Sequence, residues 1–250
     1  MSSLGRCNCR SAHGDIGALR TLLFRLPRLD DGDTLVFLGD YIDRGPRSAE
    51  VIDLLRRLPS RSAAKVVVLR GNHEDAWIQV VERGWPDFVF PRGNGCLEAL
   101  RSFMGRPVPA PEEQPASDEV EPLLTGSFLP PEVVDWMRSL PHWYEDEHAI
   151  YVHAGLPHGP EGFPHPRDIK VKRALLWCRD QHFFRDYRGK RVVFGHTATE
   201  LLPPELSLYT PEDPADLWAG PCTIGVDTRC GRGGFLTAIE LPALLVYESR

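Results

Sequence analysis

Four short apolar runs in this chain end in the same punctuation, and that repeat constrains the fold more than any other feature. Val36-Phe37-Leu38 runs into Gly39-Asp40, and Val66–Leu69 runs into Arg70-Gly71-Asn72-His73. Ile150-Tyr151-Val152 runs into His153, and Val192-Val193-Phe194 runs into Gly195-His196. Short continuous apolar runs of this kind read as strands buried on both faces. Ile16, Leu19, Leu22, Leu23 and Leu26 fall at helical spacing, and Ser48–Leu58 has a helical period that stops at Pro59. Strand, loop, helix, strand, loop is the order of parallel crossovers, so the chain is expected to be α/β. Ligands bind at the carboxyl ends of strands in such sheets, so Asp40, Asn72, His73, His153 and His196 should converge on one rim.

Their types suit a metal. Carboxylate oxygen, amide oxygen and imidazole nitrogen make a mixed set that fits Mn, Fe or Zn better than copper(I) or an iron–sulfur cluster. A carboxylate can bridge two metals, and two-metal sites clamp the attacking and leaving oxygens of a displacement. Asp43-Arg44-Gly45 and Asn72-His73-Glu74 add two further tools. A guanidinium matches phosphate oxygens in pairs, and a histidine with a carboxylate partner can give a proton to a leaving alkoxide. Glu74 reads as structural, Trp85 and Phe88 as candidates to line a substrate groove.

The ordered set Gly39-Asp40-Tyr41-Ile42-Asp43-Arg44-Gly45, Leu69-Arg70-Gly71-Asn72-His73-Glu74, Val152-His153-Ala154-Gly155 and Gly195-His196-Thr197 resembles the phosphoprotein-phosphatase branch of the calcineurin-like metallophosphoesterases. That branch includes bacterial serine/threonine phosphatases and diadenosine-tetraphosphate hydrolases. The likeness runs from about His13 to Leu241, and Gly225–Thr228 with Gly233–Ala238 looks like the closing strands of bacterial members. It implies two central mixed β-sheets packed face to face and flanked by helices. It also implies two divalent metal ions. Asp40 would bridge them, His13 would bind the first, and Asn72, His153 and His196 would complete the second. Arg44 would hold the phosphate, with Asn72 and Arg179 (in Leu175-Leu176-Trp177-Cys178-Arg179) also reaching substrate. His73, oriented by Asp43, would protonate the leaving group, and a metal-bridging hydroxide would attack phosphorus directly.

One position departs from the family pattern. Arg10-Ser11-Ala12-His13-Gly14 stands where Gly-Asp-x-His-Gly is expected, so Ser11 replaces the first metal's aspartate. Gly5–Cys9 also lacks the apolar character of a buried strand. A frame shift upstream of His13, a genuine one-metal or weak-metal enzyme, and a phosphatase-like module without catalysis all account for this. Asp15 reads either as a substitute carboxylate or as a charge at a helix start.

The 250 residues, 42% of them hydrophobic, suffice for one domain spanning 1–250. A helical or irregular insertion is expected at about 82–135, and seven prolines in 105–131 predict an irregular excursion there. A net charge of −6 with no Lys/Arg run excludes a nucleic-acid scaffold. No apolar stretch approaches membrane-spanning length, and no signal peptide is expected. Six scattered cysteines favour reduced thiols and a cytoplasmic protein, with Cys7 and Cys9 poor metal-ligand candidates. The expected function is metal-dependent phosphomonoester hydrolysis, foremost as a protein serine/threonine phosphatase acting on phosphorylated protein or small phosphoesters. Dinucleoside polyphosphate hydrolysis shares the same ligands, and a weakened phosphatase-like binding module is the third expectation.

Overall fold

A computed structural model describes residues 12–208 and 216–250 in full and residues 6–9 by backbone alone. Ser11 lies outside the described residues, as do the side chains of Cys7 and Cys9.

The chain opens with β1 (Arg6–Cys9), α1 (Ile16–Arg25), β2 (Thr34–Phe37), α2 (Ser48–Arg57), β3 (Lys65–Val68) and α3 (Asn72–Arg83). Four helices follow: α4 (Pro86–Val89), α5 (Cys96–Met104), α6 (Ser117–Thr125) and α7 (Pro131–Ser139). Then come β4 (Trp143–Glu145), β5 (Ile150–Val152), α8 (Ala174–Trp177), α9 (Gln181–Asp186) and β6 (Val192–Phe194). The last strands are β7 (Trp218–Ala219), β8 (Thr223–Gly225), β9 (Thr237–Leu241) and β10 (Leu245–Glu248). They form two five-stranded mixed sheets, ordered β10-β9-β1-β2-β3 and β4-β5-β6-β8-β7.

The two-residue period of each strand assigns its faces. Leu35 and Phe37 of β2 cluster with Ile16 and Leu19 of α1 and Val51 and Ile52 of α2. Their neighbours Val36 and Leu38 cluster instead with Tyr151, Val193, Ile224 and Ile239, which joins the two sheets. In the second sheet Ile150, Val152, Val192 and Phe194 pack on Leu175 of α8 and Phe183 and Phe184 of α9. The layers therefore run helix, sheet, sheet, helix, as expected.

Two segments differ from expectation. Arg6–Cys9 is a strand, and it sits between β2 (Asn8 opposite Val36) and β9 (Asn8 opposite Ile239). Strand preference depends on context, and pairing on both sides overrides the unsuitable composition. The proline-rich segment is not irregular throughout, because Ser117–Thr125 forms α6 with Pro122 inside it. Pro122 removes one helical hydrogen bond. Burial of Leu123 and the Glu119 carboxylate offset that loss. Glu119 takes Arg101 Nε at 2.9 Å, Arg106 Nη1 at 3.0 Å and the Ala116 N–H at 2.9 Å. Among the described residues no helix is long and apolar enough to cross a membrane.

Candidate metal centre and active site

The loops that leave β2 and β3 are zipped together by one buried carboxylate. Glu74 Oε2 accepts the N–H groups of Gly71 and Asp40, each at 2.8 Å, and Oε1 accepts that of Tyr41 at 2.7 Å. Gly71 is required at this contact, since a Cβ there would lie 2.2 Å from the Asp40 nitrogen. His13, Asp40, Asp43, Arg44 and His196 all have positive φ, between 36° and 74°. Non-glycine residues in that region cost roughly 1–3 kcal/mol each, so the surrounding bonds must hold them there.

The sheet ends bring the expected side chains together. Asp40 Oδ2 lies 3.4 Å from His13 Nε2 and 3.4 Å from His153 Nε2. Asn72 Oδ1 lies 2.9 Å from His153 Nε2 and 2.8 Å from His196 Nδ1. Two groups of side chains able to hold a metal result, one of His13, Asp40 and His73, the other of Asp40, His153 and His196. They share Asp40.

The tautomers make the donor set legible. Leu38 O takes the His153 Nδ1–H at 2.7 Å, and Ile42 O takes the His13 Nδ1–H at 3.2 Å. Each ring therefore turns its Nε2 lone pair inward. The His153 lone pair faces Asp40 and Asn72 oxygens, which are lone-pair atoms too. Crowded lone pairs of this kind suit a cation, so the residues present fit a divalent metal. Burial pushes the pKa of His13, His153 and His196 below the usual histidine value, which favours the neutral, ligating form. Burial opposes ionisation of Asp40, but His153, His73, His13 and Arg44 outweigh it and hold the carboxyl well below its usual range.

Beside these groups His73 Nδ1 lies 2.6 Å from Asp43 Oδ2. Trp77 Nε1 donates to both oxygens of Asp43, at 2.9 and 3.1 Å. Burial pushes the Asp43 carboxyl up, and these hydrogen bonds oppose it. Arg44 Nη2 lies 3.1 Å from His73 Nε2, and Nη1 contacts His13 Nε2. Its Nε is buried with no hydrogen-bond partner. Arg179 Nε donates to His196 Nε2 at 3.0 Å from the opposite side. Phe88 (5.5 Å from His73), Trp85 (5.5 Å from Phe88) and Trp177 (6.0 Å from Trp85) line one rim and return to His196 at 6.2 Å.

Asp15 is not near this centre as a ligand: it caps α1, accepting the Ala18 N–H at 2.8 Å. Three contributors were not singled out from sequence as site builders. Trp77 carries no motif signal. The three-residue offset from Gly71 hides the loop-bridging role of Glu74 until the loops are seen together. Arg232 lies in a Gly231-Arg232-Gly233-Gly234 turn after β8, and that glycine-rich setting after a strand was the available signal.

The model for calcineurin-like phosphoesterases matches residues 12–200. A Caenorhabditis elegans protein described as a serine/threonine-protein phosphatase is 45% identical over 192 residues, covering 74% of this chain and 45% of that protein. The chain thus spans less than half the length of that curated relative. A solved structure described as a diadenosine tetraphosphatase superposes with a TM-score of 0.59 at 20% identity, covering 98% of this chain and 93% of the other. A cold-active protein-tyrosine phosphatase of a psychrophilic Shewanella species gives 0.56 at 19% identity, covering 95% and 76%. Those two likenesses concern the fold. With the family match spanning most of its length, the chain belongs to the calcineurin-like phosphoesterases.

Proposed function

We propose that this chain is a metal-dependent phosphoesterase that hydrolyses phosphomonoesters, with phosphoserine and phosphothreonine in proteins as its substrate class. The observation that carries the reading is the Asp40 carboxylate, shared by two imidazole-bearing donor groups with Arg44 and the His73–Asp43 pair alongside. Asp40 and His13 would hold one divalent ion, and Asp40, Asn72, His153 and His196 the other. Manganese is the proposed metal, with iron and zinc compatible with the same N/O donors. Such ions supply an activated water and neutralise charge on phosphoryl oxygens.

The chain's own groups account for the remaining steps. Arg44, its Nε unpartnered, would grip the phosphoryl oxygens, with Asn72 and Arg179 at the periphery. His73 would carry a proton on Nε2 and deliver it to the leaving oxygen as the phosphorus–oxygen bond breaks. Asp43 would stabilise and orient that imidazolium, and Trp77 would fix Asp43. The protein-substrate class leans on the nematode relative. Dinucleoside polyphosphate hydrolysis is the second reading, favoured by the partly exposed rings of Trp85 and Trp177 beside the centre, against which a nucleobase could pack. The same reading takes residues 1–250 as one domain, with the helices within 82–135 as its substrate-selecting insertion. It also takes the chain as cytoplasmic, supported by free Cys96, Cys178, Cys222 and Cys230.

The test is p-nitrophenyl phosphate turnover with added Mn²⁺ and its loss on chelation. Relative turnover of a phosphopeptide and diadenosine tetraphosphate then separates the two substrate classes. Metal-loaded protein with no turnover on any of them would overturn the enzyme reading in favour of a binding module.

A further inference from the structure

We propose that Arg232 is a further substrate-binding residue, placed to contact a second phosphoryl group joined to the one under attack. The inference rests on the phosphoesterase reading above and, within it, favours the second substrate class, the dinucleoside polyphosphates.

Arg232 sits at the tip of a loop held at both ends. Phe235 N–H donates to Thr228 O at 3.2 Å, Arg232 N–H to Arg229 O at 3.0 Å and Gly234 N–H to Arg229 O at 3.1 Å. Thr228 Oγ1 ties down Phe235 O at 2.6 Å. The fully buried Cys230 packs its thiol on Ala12 O at 3.8 Å. The loop backbone lies directly on the site: a Cβ at Gly231 would be 2.7 Å from His13 Cβ and 3.5 Å from Arg44 Cβ. The Arg232 side chain is exposed and makes one contact, to Gly93 O. Arg44 reaches the same short segment, donating its N–H to Gly95 O at 3.2 Å. Arg232 and Arg44 are thus fastened to one loop, two residues apart.

The charges carry the inference further. Among the described residues Arg44, Arg179 and Arg232 have no ion-paired carboxylate, whereas neighbouring Arg229 is bound to Glu200 at 2.7 Å. Yet the three flank one centre. Arg44 Nη1 contacts His13 Nε2, Arg179 Nε lies 3.0 Å from His196 Nε2, and the backbone of the Arg232 loop rests on His13 and Arg44. Convergent like charges are unfavourable unless an anion compensates them. Arg44 and Arg179 lie beside the residues proposed to hold the metals, within reach of the phosphoryl group under attack. A third unpaired guanidinium calls for more negative charge in the same small volume, and a phosphoanhydride supplies it. Arg232 keeps donors free after its one contact to Gly93 O, enough to engage a further phosphoryl oxygen pair.

The experiment compares inorganic pyrophosphate with orthophosphate as competitors of p-nitrophenyl phosphate, at constant free Mn²⁺. The wild-type protein should bind pyrophosphate about ten-fold more tightly than orthophosphate. In Arg232→Gln, which keeps a donor for Gly93 O but no charge, the preference should shrink to about two-fold. Arg232→Lys should retain part of it. An unchanged preference in Arg232→Gln overturns the inference. Thermal shifts by the same two anions, at the same free Mn²⁺, read the same residue without turnover. If the protein proves inactive, the phosphoesterase reading fails. The pyrophosphate-specific shift, lost in Arg232→Gln or persisting there, then decides the role of Arg232 separately.

Discussion

His73 Nδ1 and Asp43 Oδ2 are 2.6 Å apart and both side chains are buried, so Nδ1 is committed to Asp43 and Nε2 is left facing Arg44 Nη2 at 3.1 Å. In the proposed reaction His73 Nε2 would be the atom that delivers a proton to the leaving group. Asp43→Asn keeps the shape and removes the charge that would stabilise the imidazolium. Turnover of an alkyl phosphate, whose leaving oxygen needs the proton, should fall about 100-fold or more. Turnover of dinitrophenyl phosphate, which needs little help, should fall less than about ten-fold. Steady-state kinetics on both esters checks this. Equal losses would mean that Asp43 positions the loop and takes no part in proton transfer.

Glu74 offers a test of the scaffold rather than the chemistry. Its two oxygens accept three strong backbone N–H bonds from the loops after β2 and β3. An amide in its place presents its own N–H groups to at least one of those donors. Glu74→Gln should therefore cost about 2–3 kcal/mol, seen as a Tm lower by roughly 5 °C or more. Metal affinity should drop with it, because Asp40 hangs on the same loop. An unaltered Tm would show that water or a shifted loop replaces these bonds.

What the chain's pattern made legible follows from where the physics is local. The runs feeding Asp40, Asn72, His153 and His196 announce themselves because buried parallel strands are apolar throughout. The rim follows from topology, so the convergence of those four residues was readable. Arg6–Cys9 was not, because its strand state comes from β2 and β9 on either side and not from its residues. Helix α6 was hidden by Pro122, since the Arg101 and Arg106 contacts that offset it come from α5 and the loop beyond. Arg232 was hidden for a related reason: the Gly231 contact with His13 and Arg44 joins residues more than 180 positions apart.

Metal-free protein should lose stability on acidification, and the sign can be worked out. Burial lowers the pKa of His13, His153 and His196 in the folded state. Below the unfolded value of 6.5 the unfolded chain takes up protons that the folded chain does not. Their stability contribution is present above that pH and is lost below it, by up to about 1.4 kcal/mol per pH unit per residue. Glu74 works in the opposite sense. Burial pushes it up to about 7 from 4.5, so between those values it favours folding as the pH falls. Asp43, also raised by burial, shares that sign. The clean test is differential. In chelator, His153→Gln should show a shallower decline of Tm between about pH 6.5 and 5.5 than the wild type. Parallel curves would contradict the neutral state assigned to His153.

The last expectation concerns residue 11, where a neutral hydroxyl stands at a position the family pattern gives to a carboxylate. In the proposed reading His13 and Asp40 would supply one imidazole and one shared carboxylate to the first metal. A hard or borderline dication gains far more from a carboxylate than from a serine hydroxyl. Ser11→Asp should therefore raise Mn²⁺ affinity at that site about ten-fold or more, bring stoichiometry to two ions per chain, and increase p-nitrophenyl phosphate turnover at low Mn²⁺. Metal titration and activity on the two proteins side by side check it. If both bind two ions tightly and turn over alike at low Mn²⁺, another group already serves the first metal. The ligand set of His13 and Asp40 is then incomplete for a reason other than Ser11.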